Sequence, residues 1–109
     1  GAPAGWTAQV LGDILTELRS ATAYVLHLPH RAAGYRVASL MCLFPAYETI
    51  RAAALQRREL FTTAHQIKIS RPTMARCVQD AVALAPDDAA IMAVSRDLES
   101  QIRDALLLD

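Results

Sequence analysis

Apolar residues recur at steps of three and four along most of this chain, the spacing of helices with one side turned inward. The first such run carries Val10, Ile14, Leu18, Ala21 and Val25, widened by Leu11, Leu15, Thr22 and Leu26; Thr7 stands where an N-cap belongs and Pro29 ends the run. A second, longer helix is expected from about Arg31 to about Leu60, with Val37, Leu40, Met41, Phe44, Tyr47, Ile50, Ala54 and Leu55 inward. Pro45 falls in its middle, where the absent N–H and the ring clash cost about 3 kcal/mol unless something compensates. Phe61 to Ile69 reads as an extended connection. A third helix follows Ser70, with Met74, Cys77 or Val78, Ala81 and Val82 on one side, and stops at Pro86. The fourth is capped by Asp87 or Asp88 and carries Ile91, Val94, Leu98, Ile102 and Leu106, with Glu99 and Arg103 as an i, i+4 pair on its outer side. No alternation of useful length, internal repeat or low-complexity stretch interrupts this pattern, so the expected class is all-α, a helical array.

Composition narrows the picture. A chain of 109 residues makes one domain at most, and 53% hydrophobic residues with a mean hydropathy of +0.20 is rich for its size, so some apolar surface is expected to face a partner or ligand. Eleven basic and eleven acidic residues cancel, which removes the long-range field that draws proteins to nucleic acid. Cys42 and Cys77 lie far apart in apolar helical contexts, as expected of a reduced, cytoplasmic pair rather than a disulfide framework. The chain starts at Gly1 rather than methionine, with no signal peptide, as a processed chain or a piece of something longer would. Its longest nearly uncharged run, Val37 to Tyr47, is too short to span a bilayer, so the expectation is a soluble protein, at most peripheral to a membrane.

Candidate chemistry concentrates between Arg57 and Arg76. Lys68, the only lysine, stands between Ile67 and Ile69; Ser70 offers an N-cap and Pro72 suits the first turn of the next helix. A cation beside a helix N-terminus attracts the same anions as the dipole does, which makes Lys68, Ser70 and Arg71 either an anion-binding flap or a surface cation with an ordinary cap. Arg57 and Arg58 suit the negative end of the preceding helix. Met41, Cys42, Phe44, Pro45 and Tyr47 form a soft and aromatic cluster about the proline; core packing accounts for the side chains, and a long apolar ligand would account for the proline as well. Asp13 and Glu17 have the spacing to share a divalent cation but read better as a solvated face, and Asp87-Asp88 as capping. His27, His30 and His65 show no metal-ligand spacing, and no serine or cysteine sits in a nucleophile motif.

The order Met41-Cys42-Leu43-Phe44-Pro45, then Glu48-Thr49-Ile50-Arg51, then Phe61, then Ile67-Lys68-Ile69-Ser70-Arg71 resembles the C-terminal part of squalene synthases and their bacterial relatives among the head-to-head prenyl synthases. Ala23-Tyr24-Val25 is also similar, and the resemblance runs from about Val10 to about Ile102. It implies part of an α-helical isoprenoid synthase fold over residues 1–109, in which two farnesyl diphosphates condense to presqualene diphosphate and, with NADPH, are reduced to squalene. It further implies that Met41, Cys42, Pro45 and Tyr47 line the apolar substrate pocket and that Lys68, Ser70 and Arg71, as cofactor-binding residues, close its diphosphate or nicotinamide end. The Lys-Ile-Ser-Arg segment favours squalene-type over phytoene-type members. The family's paired Asp-x-x-x-Asp helices have no counterpart here. Asp13-x-x-x-Glu17 lies in the wrong place and ends in glutamate, so the Mg2+ ligands are expected outside this chain, on a missing N-terminal half or a partner chain. The chain by itself is then inactive, with an apolar face prone to self-association. The alternative is a non-catalytic helical module of the same shape that binds a lipid or protein partner.

Overall fold

The computed structural model describes residues 4–56 and 68–107. Among these are four helices and no strand: α1 (Ala4–His27), α2 (Ala33–Leu55), α3 (Arg71–Leu84) and α4 (Asp88–Leu107). The all-α expectation holds. No described helix is long and apolar enough to cross a membrane. Arg57, Arg58, Phe61, His65 and the expected extended segment up to Ile67 lie outside the described residues.

Helix α1 starts at Ala4, so Thr7 is not its cap but a buried residue inside it. The buried stripe is Thr7, Leu11, Leu15, Thr22 and Val25, whereas Ile14 is 37% exposed and Ala21 also faces out. Leu11, Leu15, Thr22 and Val25 are thus inward as expected, and the expected stripe is too wide on the side of Ile14 and Ala21. Thr22 is accommodated by donating Oγ1–H to the Leu18 carbonyl at 2.8 Å or pairing with the Tyr47 hydroxyl at 2.9 Å.

Helix α2 packs against each of the other three helices and continues through Pro45. The carbonyl that Pro45 leaves without its usual donor is that of Met41, a residue 41% exposed and so within reach of water. Thr49 Oγ1 donates to the Pro45 carbonyl at 2.9 Å one turn later. Of the expected inward residues, Leu40, Phe44, Tyr47 and Ala54 are buried, but Met41 and Leu55 face out. Ser70 caps α3 as expected, its Oγ accepting from Thr73 N at 3.2 Å. On α3 only Cys77 and Ala81 are buried, while Met74 and Val82 are exposed. Asp87 caps α4, its Oδ1 accepting from Ala90 N at 3.0 Å.

Asp88 does something else. The guanidinium of Arg36 is wholly buried, and four donor contacts tie it to three other parts of the fold. Nε donates to the Ala85 carbonyl at 2.6 Å, Nη1 to the Val25 and Leu28 carbonyls at 3.1 and 2.8 Å, and Nη2 to Asp88 Oδ1. The carbonyl ends of α1 and α3 thus point at one cation, the arrangement helix dipoles favour, and the acidic first residue of α4 completes it. A desolvated charge is tolerated only with such partners.

Arg36→Met is expected to cost about 3–5 kcal/mol in urea unfolding followed by circular dichroism, because it leaves buried carbonyls without donors. Arg36→Lys should recover only part of that, since an ammonium cannot replace the planar fork. Asp88→Asn, at a carboxylate 48% exposed, should cost about 1 kcal/mol or less.

Candidate functional site

The sequence-predicted substrate residues divide between two sides of α2. Met41 and Cys42 face outward, Pro45 is half-buried, and Tyr47 is 1% exposed with its hydroxyl turned to Thr22 on α1. At 100° per residue Tyr47 lies about 120–140° around the helix from Met41 and Cys42, so these side chains do not share one wall. Lys68, Ser70 and Arg71 are all exposed. The Ser70 hydroxyl is committed to its cap, donating to Thr73 Oγ1 at 2.9 Å besides accepting the Thr73 N–H. Glu48 meets Arg76 and Arg36 meets Ala85, so α2 and α3 run antiparallel. This register sets Ser70 near the Leu55 end of α2, roughly 20 Å along the helix from Met41. The two predicted groups are therefore apart within this chain.

Asp13 and Glu17 are exposed on α1. Among the described residues no three His, Cys, Asp or Glu side chains come together as a metal site, so Asp13 and Glu17 do not fit a magnesium site by themselves. Among the described residues Lys68, Ser70 and Arg71 line neither the groove between α1 and α4 nor the cavity bordered by α2, α3 and α4. His27 and His30 are exposed, His30 Nε2 lying 3.2 Å from Asp88 Oδ1.

A groove of about 800 Å³ opens between α1 and α4 with Tyr47 at its floor. The two helices are antiparallel, since Arg19 meets Glu99 while the end of α1 and the start of α4 both meet Arg36. Apolar lining comes from Ala23, Leu26 and Met92. In the middle, the Ser95 side chain is buried beside the Tyr47 hydroxyl, and its own hydroxyl offsets part of the effect of burial on that phenol. Beyond it Glu99, its side chain 12% exposed, accepts from Arg19 and, at 3.0 and 3.1 Å, from Arg103. The Glu99–Arg103 pair therefore exists but faces α1 rather than the outer side. Burial pushes the Glu99 carboxyl up, yet the hydrogen bonds and charges of the two arginines outweigh it and hold the group below its ordinary value. The Arg19 guanidinium is raised by the same pairing. Burial pushes the Tyr47 phenol up, partly offset by its bond to Thr22. Arg96, also on the groove, has no ion pair among the described residues.

On the other side of α2 lies a polar cavity of about 350 Å³ bordered by α3 and α4. Glu48, its side chain 8% exposed, accepts from Arg76 Nη2 at 2.7 Å and lies 3.6 Å from Arg51 Nη1. Arg51 Nε donates to Gln101 Oε1 at 2.7 Å, and Gln101 Nε2 to Asp97 Oδ2 at 2.9 Å. Cys77 borders this cavity, but burial and the nearby Glu48 raise its thiol, which keeps it protonated and a poor nucleophile. This network fastens α2 to α3 and α4 and assembles no nucleophile with a base. Sequence reading left out Arg36, Glu48 and Arg76 as structural charges. The signal was present: Arg36 stands four residues before Leu40 and Glu48 four after Phe44, so both fall on the buried stripe.

No family model, curated protein or solved structure matches the chain. Among the described residues, the Met41–Cys42 face of α2 and the α1–α4 groove both leave apolar side chains open to solvent.

Because the Glu99 carboxyl is depressed in the folded state, its contribution to stability is present above the ordinary value of 4.5 and is lost as pH falls through the folded value. Glu99→Gln should therefore lower the melting temperature at pH 7, and the gap to the unchanged protein should narrow progressively as pH falls below 4.5, read by thermal denaturation across pH.

Proposed function

We infer that the chain is the C-terminal helical portion of a squalene synthase-like prenyltransferase. Its substrate face is the Met41–Cys42–Pro45 side of α2, and an aspartate-rich half supplied by another polypeptide segment carries the Mg2+. In that assembly two farnesyl diphosphates are joined head-to-head through presqualene diphosphate to squalene with NADPH as reductant, and this chain alone turns over nothing. Its part is to supply an apolar wall that shelters carbocations from water. One observation supports the reading most. α2 is apolar on nearly every side, as a helix covered all round would be, yet Tyr35, Met41, Cys42 and Leu55 are exposed. With Cα extents of 47 × 25 × 17 Å the four helices are too few to cover it. Pro45 suits this face, because a helix lining a cavity can leave a carbonyl without an intrahelical donor.

A second reading, a non-catalytic helical module for a lipid or protein partner, is favoured by the α1–α4 groove, which is formed within this chain.

The upstream reading frame, or a chain that co-purifies, should contain paired Asp-x-x-x-Asp motifs. Combining that half with this chain should restore turnover of farnesyl diphosphate with Mg2+ and NADPH. Alkylation of Cys42, fast in the isolated chain, should slow at least about ten-fold in the assembly, since burial removes the thiolate from solvent. Cys77 should react only on unfolding. Lack of the aspartate motifs, or an unchanged Cys42 rate in the assembled protein, would sink the prenyltransferase reading.

A further inference from the structure

We propose that the outward side of α4, where it borders the α1–α4 groove, is a self-complementary interface on which two copies of this chain pair, their α4 helices antiparallel about a two-fold axis at Ser100. The interface rests on α4 and does not depend on the prenyltransferase reading, whose surface is the outward face of α2.

Met92, Arg96, Ser100 and Asp104 follow one another at steps of four, so they form one ridge along α4, and all four are exposed. Arg96 and Asp104 carry opposite charges, but roughly 12 Å of helix separates them, and neither has an ion pair among the described residues. The other charges on this groove, Arg19, Glu99 and Arg103, are matched among themselves. The two unmatched charges stand equally far from Ser100, one on each side. A two-fold axis there sets Arg96 of each copy beside Asp104 of the other, so one symmetric contact pairs all four. Arg103 and Asp97 of opposite copies also fall level, again with opposite signs. A parallel pairing sets like charges together and a shift of one turn parts both pairs, so the charges fix direction and register. Ser100, small and exposed, lets the helices approach at the axis, ridge beside ridge, in the common packing of i, i+4 rows. The apolar ends then meet as well. Leu107, 82% exposed, comes level with Ala93 of the other copy, next to the exposed Met92. One helix face is a small interface, so the pairing is reversible and depends on concentration.

The test is sedimentation velocity of the full chain from micromolar to millimolar concentration at low salt. A reversible monomer–dimer equilibrium is expected, weakened by added salt because the paired charges lie at the surface. Arg96→Asp and Asp104→Arg each set like charges together twice and should weaken dimerisation at least about ten-fold. Both positions are exposed, so the melting temperature should change little. The double variant Arg96→Asp/Asp104→Arg reverses both pairs and should dimerise again. A mixture of the two single variants should form a heterodimer, since every facing pair in it is opposite in sign. A misfolded variant or an unspecific apolar surface gives neither recovery. Met41→Ser should leave the dimer intact, which separates this interface from the α2 face. The proposal is overturned by a chain that stays monomeric over the whole range, by a dimer that either single variant leaves unchanged or that Met41→Ser dissolves, or by failure of the double variant and the mixture to restore pairing.

Discussion

The fold depends on the buried guanidinium of Arg36. Two helices end on it through the carbonyls of Val25, Leu28 and Ala85, and a third begins at its carboxylate partner Asp88. Helices α1, α3 and α4 are thus referred to one point on α2. The apolar character of α2 does not select one side to face the core, because it is spread around the helix with almost no asymmetry. Polar anchors make the selection. Arg36 near one end, Tyr47 bonded to Thr22 in the middle and Glu48 bonded to Arg76 are satisfied together in one rotation of the helix. Turning α2 by even one position would bury one of these groups without its partner, at a cost of about 1–3 kcal/mol or more for a charge.

That choice of rotation decides which chemistry each side of α2 can support. Tyr47 is spent on the core, and its hydroxyl forms the polar floor of the α1–α4 groove. Met41 and Cys42 are turned outward, with the carbonyl of Met41 freed by Pro45 on the same side. Proline is better tolerated here than on the buried stripe, because a freed carbonyl at an exposed residue can reach water.

The sequence made the helix count, the cap at Ser70, the stop before Pro86 and the capping role at Asp87-Asp88 legible, since each rests on local backbone chemistry. On α1 it indicated a stripe wider than the true inward side: Leu11, Leu15, Thr22 and Val25 are buried as expected, but Ile14 and Ala21 face out, and Thr7, read as a cap, is buried inside the helix. It did not reveal that Tyr47 and Met41 face apart, since α2 offers no amphipathic pattern from which to read rotation. The partners of Arg36 come from residues 8 to 52 positions away, and no local rule brings Val25, Leu28, Ala85 and Asp88 to one cation. The groove was invisible for the same reason: Thr22, Tyr47 and Ser95 become neighbours only when three helices have docked. The outer placement of Glu99 and Arg103 followed from their charge, and Arg19, on another helix, reverses it.

Glu99 also explains how α1 and α4 can leave a groove between them without separating. α1 and α4 touch each other over a shorter stretch than either touches α2, and a polar clamp carries part of the closure. Glu99, drawn below its ordinary value by two arginines despite burial, is ionised at neutral pH and bridges Arg19 of α1 to Arg103 of its own helix. An apolar residue at 99 could close the helices only by filling the groove, whereas a carboxylate holds them at the reach of two long side chains. The open space above Tyr47 lies beside this clamp, and Ser95, one turn away on α4, borders that space next to the Tyr47 hydroxyl.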